Sequence, residues 1–173
     1  MSLILPAGYD CPGLVFPLAG MTITPIIGDL LWCGSAPRDG SDLSAFGGGR
    51  GKVFHMEAER VSRGWTGAEV AHYPLEDNAQ DKLTAPPTVR GMTLLEVFGV
   101  MREVAQRIFD KRPTVVVCRM GLSRSPMIAG GALRLCGESP DNVLRMVRGA
   151  RGPQALNGGN ANFLDMVTAA RRI

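Results

Sequence analysis

Between Val89 and Asp110 the apolar residues Met92, Leu95, Phe98, Met101, Val104 and Ile108 recur every three or four positions. That spacing lays one stripe along a helix, so a long amphipathic helix with this stripe in the core is predicted. Pro113 ends it. Thr114–Cys118 follows as a run of valines, the pattern of a strand buried on both faces of a parallel sheet. Earlier in the chain, Thr22–Ile27 and Leu30–Cys33 are β-leaning runs around Gly28-Asp29, which predicts a hairpin. Val53–Met56 and Val70–Leu75 are two further strand candidates. Ser41-Asp42-Leu43 reads as the start of a short helix capped by Ser41. Ala85-Pro86-Pro87 marks a break. Ser125-Pro126 opens an alanine-rich helix to about Cys136, with proline in the first turn where its missing N–H costs nothing. Ser139-Pro140-Asp141 opens another to about Arg148, and Asn160–Arg172 forms the last.

Strands alternating with helices predict a single α/β domain, a central mostly parallel sheet flanked by helices. The proline- and glycine-rich residues 1–20 are expected to form an N-terminal arm, with the domain proper over 21–173. Phe46–Lys52 reads FGGGRGK, but a nucleotide-binding loop needs glycine six residues before the lysine and Ser or Thr after it. Phe46 and Val53 stand there instead, so a flexible surface turn is expected.

Composition changes this picture little. The 173 residues are 45% hydrophobic and 20% charged, enough for one sizeable core, and the net charge of +3 is too mild to argue for nucleic acid. The first 19 residues lack a basic stretch, and no run approaches the ~18 apolar residues of a membrane span, so a cytoplasmic setting without membrane attachment is the default expectation. Of four cysteines, none stands at CxxC spacing, and His55 and His72 fit no zinc pattern, so no metal or other cofactor is expected. Cys11, Cys33 and Cys136 read as small packed thiols, His55 and His72 as structural histidines, and Trp32 and Trp65 as packing residues or pocket walls.

The chemistry concentrates in Val115-Val116-Val117-Cys118-Arg119-Met120-Gly121-Leu122-Ser123-Arg124-Ser125-Pro126. A buried strand, a loop containing one glycine and a helix follow in order. Ligands of α/β folds gather at the C-terminal edge of such strands. There the N–H groups of Arg119, Met120, Gly121, Leu122 and Ser123 can curl around an anion, and the following helix aims its positive end at it. A phosphate or sulfate ion fits this description. Free thiols titrate near ~8.5, those beside a helix N-terminus and an arginine at about 3.5–7.5, so Cys118 is expected to stand as a thiolate nucleophile. The planar fork of Arg124 can hold two phosphoryl oxygens and the charge of the transition state. Ser125 can donate to the sulfur as it leaves. A departing alkoxide or phenolate also needs an acid, and Asp77, in the loop after Val70–Leu75, is the candidate, with Asp81 and Glu76 as alternatives. Arg148 and Arg151 are given no direct role.

Cys118–Arg124 followed by Ser125 resembles the CxxxxxR[ST] signature of the protein tyrosine phosphatases, and CRMGLSRSP resembles the loop of their dual-specificity branch. Tyr73-Pro74-Leu75-Glu76-Asp77-Asn78 resembles that family's general-acid segment, and Leu30–Ser35 its early strand. Arg148-Gly149-Ala150-Arg151 and Asn160-Ala161-Asn162-Phe163 resemble its C-terminal helical region. The resemblance implies metal-free hydrolysis of phosphotyrosine, and of phosphoserine or phosphothreonine, in a protein or peptide, through a phosphocysteine. It implies Cys118 as nucleophile, Arg124 for phosphate, Ser125 for thiolate departure and Asp77 as acid and then base. One position departs: the family has histidine before the cysteine, where Val117 stands. That difference keeps a phosphate-binding protein without turnover in view. A phosphatase of RNA 5′ ends or other non-protein esters and a sulfur-transfer enzyme are the remaining alternatives.

Overall fold

The structure is a computed structural model describing residues 16–18, 21–46, 49–58, 64–77, 91–157 and 162–170. The strands β1 (Phe16–Leu18), β2 (Met21–Ile27), β3 (Leu31–Ser35), β4 (Lys52–His55), β5 (Glu69–His72) and β6 (Thr114–Cys118) form one sheet in the order β1-β2-β3-β6-β4-β5. From β3 to β5 all neighbours are parallel, while β1 and β2 add to one side antiparallel. The expected hairpin is β2–β3, closed at Gly28-Asp29 by the Leu30 N–H donating to the Ile27 carbonyl at 2.8 Å. All five residues of β6 are buried, as a central strand with both faces covered requires.

The helices are α1 (Leu94–Phe109), α2 (Arg124–Leu135), α3 (Pro140–Arg151) and α4 (Asn162–Ala169). Their apolar sides meet Leu31, Cys33, Phe54, Val116 and Cys118 on one sheet face. On the other face Ile23, Trp32, Val53, Val115 and Val117 pack with Leu43 and Phe46 from the β3–β4 connection. The alternation along β6 therefore sends Val116 and Cys118 toward the helices and Val115 and Val117 away from them. Among the described residues no helix is long and apolar enough to cross a membrane.

Four expectations need correction. The long helix begins at Leu94, because Thr93 caps it: its hydroxyl accepts from the Glu96 N–H while the Glu96 carboxylate accepts from the Thr93 N–H. Residues 89 and 90 lie outside the described residues. Leu95 is 82% exposed; of the other expected stripe residues Met101, Val104 and Ile108 are buried and Met92 and Phe98 pack against the core, where Val97, Val100 and Ala105 join them. No helix forms at Ser41-Asp42-Leu43, where Asp42 bridges Thr66 and its carboxylate accepts from the Ser44 N–H. The FGGGRGK stretch is not simply a surface turn. Phe46 is buried edge-on against Trp32 at 5.4 Å, and a Cβ on Gly51 would stand 1.9 Å from the Phe46 carbonyl oxygen. Gly47 and Gly48, like Ala85-Pro86-Pro87 and most of the N-terminal arm, lie outside the described residues.

Candidate active site

β6 lies between β3 and β4, so its C-terminal end opens at the middle of the sheet edge, with Ser35 level with Cys118. The chain turns there through residues 119–123 and enters α2 at Arg124. Gly121 has φ +70, and a Cβ on it would meet the Gly34 carbonyl carbon at 2.6 Å and the Ser35 nitrogen at 2.7 Å. Glycine is therefore required both for its backbone angle and for the nearness of β3.

Cys118 is 1% exposed and lies on the helix-facing side beneath the start of α2. Its Sγ is 3.2 Å from the Ser125 Oγ, which is itself 3.2 Å from the Gly34 carbonyl oxygen. One hydroxyl proton thus has two acceptors. With Cys118 as a thiol, the thiol donates to Ser125 and Ser125 donates to Gly34; with a thiolate, the Ser125 proton turns to sulfur.

Arg124 is buried at the first position of α2. Its Nη1 donates to the Leu75 carbonyl at 3.0 Å. Its Nε makes no hydrogen bond among the described residues and has the Asp77 Oδ2 at 3.7 Å. A buried guanidinium with an uncommitted N–H is suited to an incoming oxyanion. Asp77 also accepts a hydrogen bond from the Ser123 hydroxyl. The acid-bearing segment after β5 thus touches the loop through both Asp77 and Leu75. Among the described residues Glu76 makes no bond to the loop, and Asp81 lies outside them.

Sequence reasoning singled out Cys118, Arg124, Ser125 and Asp77, and the structure brings all four together with Arg119, Met120, Gly121, Leu122 and Ser123 around one loop. The Met120 side chain is 65% exposed at its rim. Cys33, on β3, is fully buried, as expected of a packed thiol, and burial pushes its pKa up from 9.0 to about 12 despite the opposing influences of Ser125 and the charge of Arg151. Sequence reasoning missed Arg151. This last residue of α3 donates through Nε to the Gly121 carbonyl at 2.9 Å and through Nη2 to the Met120 carbonyl at 3.4 Å. The available signal was its basic charge at a helix end, where helix carbonyls favour a cation. That signal says nothing of a partner 30 residues away.

His55 and His72 sit on neighbouring strands beside Glu57: the His55 Nε2 is 2.7 Å from its carboxylate and the His72 Nε2 lies against its carbonyl oxygen. Val117, level with His55 across β4–β6, points into the apolar layer away from Cys118. Arg148 binds Asn157 and the Ala155 carbonyl rather than the loop.

No family model matches the sequence, and no curated protein matches it. Solved structures do match. A mouse protein described as a dual specificity phosphatase, solved with zinc tungstate, superposes with a TM-score of 0.61 at 18% identity over 86% of each chain. Tk-PTP in its active form gives 0.60 at 19% identity, over 84% of this chain and 92% of that one. The Orf virus tyrosine phosphatase OH1 gives 0.53 at 18% identity, over 84% and 83%. The chain has the fold of the dual specificity and protein tyrosine phosphatases.

Proposed function

We propose that the protein hydrolyses phosphate monoesters, phosphotyrosine and phosphoserine or phosphothreonine of proteins or peptides foremost, through a phosphocysteine. The observation that carries this reading is the buried Arg124 Nε, without a hydrogen bond among the described residues, at the end of the loop that begins with Cys118, with Ser125 beside the sulfur and Asp77 at 3.7 Å. The structural neighbours described as dual specificity and tyrosine phosphatases support it.

In the first step the Cys118 thiolate attacks phosphorus and the ester P–O bond breaks. Its electron pair goes to the leaving oxygen, which takes a proton from Asp77. Arg124 and the loop N–H groups hold the three equatorial oxygens as charge spreads over them. In the second step Asp77, now a carboxylate, takes a proton from water, whose oxygen attacks phosphorus. The S–P bond breaks, its electron pair returns to sulfur, and Ser125 donates to the thiolate. Inorganic phosphate leaves. The Ser125 proton, with its alternative acceptor at Gly34, supports this use.

The test is steady-state hydrolysis of an aryl phosphate, with phosphopeptide, 5′-phosphorylated RNA and a sugar phosphate compared. Cys118→Ser is expected to abolish turnover, and Asp77→Asn to lower kcat by about 10²–10⁴-fold. Phosphopeptide is expected to be the best of the three natural classes. Binding of phosphate without hydrolysis by the wild type would leave a phosphate-binding module instead.

A further inference from the structure

A phosphate-binding loop works only if its N–H groups face the anion. In a trans peptide the carbonyl of one residue and the N–H of the next point in opposite directions. Holding a carbonyl outward therefore turns the following N–H inward. In this loop the carbonyls of Cys118, Met120, Gly121 and Leu122 are held from outside. The Ala36 N–H donates to Cys118 at 2.7 Å and the Leu156 N–H to Leu122 at 2.8 Å. Between these two, among the described residues, Met120 and Gly121 accept from no backbone N–H, and both carbonyls are taken by the guanidinium of Arg151. Gly121 is packed so tightly that a Cβ would lie 2.5 Å from the Arg151 Nη2.

Arg151 is itself fastened. Its Nη1 donates to the Thr24 Oγ1 at 3.3 Å, and the same hydroxyl donates to the Ala150 carbonyl at 2.8 Å. One side chain thus joins the end of α3, the strand β2 and two successive peptide groups of the loop.

We propose that Arg151 is a positioning residue for phosphate binding: by holding the Met120 and Gly121 carbonyls outward, it turns the N–H groups of Gly121 and Leu122 toward the anion. The role needs the fork of a guanidinium, because an ammonium cannot span two carbonyls and Thr24 together. It rests on the phosphate-loop reading above, whose failure can be told apart from its own.

The experiment compares wild type, Arg151→Ala, Arg151→Lys and Thr24→Val. Inorganic phosphate and orthovanadate binding is measured by calorimetry, aryl phosphate kcat and KM by initial rates, and the folded fraction by thermal melting. Arg151→Ala is expected to weaken phosphate binding about tenfold and to lower kcat/KM roughly 10²-fold, as small misplacements of a site do. Arg151→Lys should lie nearer to Arg151→Ala than to wild type. Thr24→Val should move binding in the same direction by a smaller factor. Added guanidinium ion at non-denaturing concentration should raise the activity of Arg151→Ala and not that of wild type.

Arg151→Lys behaving as wild type would overturn the inference, since charge alone would then suffice. So would loss of activity only in step with loss of folded protein, with phosphate affinity per folded molecule unchanged. A wild type that binds phosphate without hydrolysis defeats the hydrolytic reading alone, and the binding series still decides the role of Arg151. A wild type that does not bind phosphate defeats both.

Discussion

Cys33 sits where a buried thiol has a measurable effect on the whole equilibrium. Burial raises its pKa from 9.0 to about 12, against the smaller opposing influences of Ser125 and Arg151. Above pH 9.0 the unfolded chain releases this proton and the folded chain keeps it, so the folded state binds more protons and loses stability as pH rises. The penalty is absent below that pH and grows about tenfold in the equilibrium constant per unit until the folded thiol also ionises. Urea unfolding across this interval should show a steeper alkaline decline in wild type than in Cys33→Ala. Parallel curves would contradict it. The comparison isolates one thiol, because the lysines and tyrosines that also titrate there are common to both proteins.

Among the elements, α1 shows how a local signal sets a boundary. Thr93 and Glu96 exchange hydrogen bonds across the first turn, and nothing in the apolar periodicity reveals this. Thr93→Ala is expected to cost about 1 kcal/mol of stability in urea titration, with kcat unchanged, because the cap's side-chain bonds go to Glu96 within the first turn. The threonine–glutamate spacing was readable in the sequence, whereas the apolar stripe extended past it through Met92. Of the expected stripe only Leu95 departs: Met101, Val104 and Ile108 are buried and Met92 and Phe98 pack against the core, while Leu95, in the first turn, faces out. The strands were more legible. A run of valines ending in cysteine allows few alternatives to a buried strand, and Gly28-Asp29 allows few to a turn. The Ser41 segment failed because the Asp42 carboxylate serves an Asx-type turn and the backbone bridges to Thr66, two uses that a capping pattern cannot be distinguished from locally. For the site, the contiguous residues were legible by spacing and Asp77 by its place after a strand, whereas Arg151 was not legible. Cys118, Arg124 and Ser125 announce themselves by spacing, but Arg151 reaches the loop from another element, which only the fold brings near.

At the scale of the molecule, the two edges of the sheet carry different burdens. Around the start of β6, Arg107 donates to the Thr114 hydroxyl at 3.0 Å, the Pro113 carbonyl at 2.9 Å and the Arg50 carbonyl at 3.3 Å. The loop with Cys118 lies at the other end of the same strand, roughly 13 Å away at strand spacing. Arg107→Met takes one donor from the buried Thr114 hydroxyl and from the two carbonyls, and should cost roughly 1–3 kcal/mol in chemical denaturation. Its kcat on an aryl phosphate, measured well below the melting temperature, should match wild type. A kcat that fell with it would show that the two edges are not independent.

Asp77 against Ser123 and Arg124 against the Leu75 carbonyl have one more consequence. These moorings already join the segment of the proposed acid to the proposed phosphate loop. Under the proposed function a compact ester with no peptide attached would therefore meet parts already assembled, and need not spend its own affinity on drawing them together. Whatever grip the protein has on residues flanking a phosphorylated side chain is left for choosing among substrates.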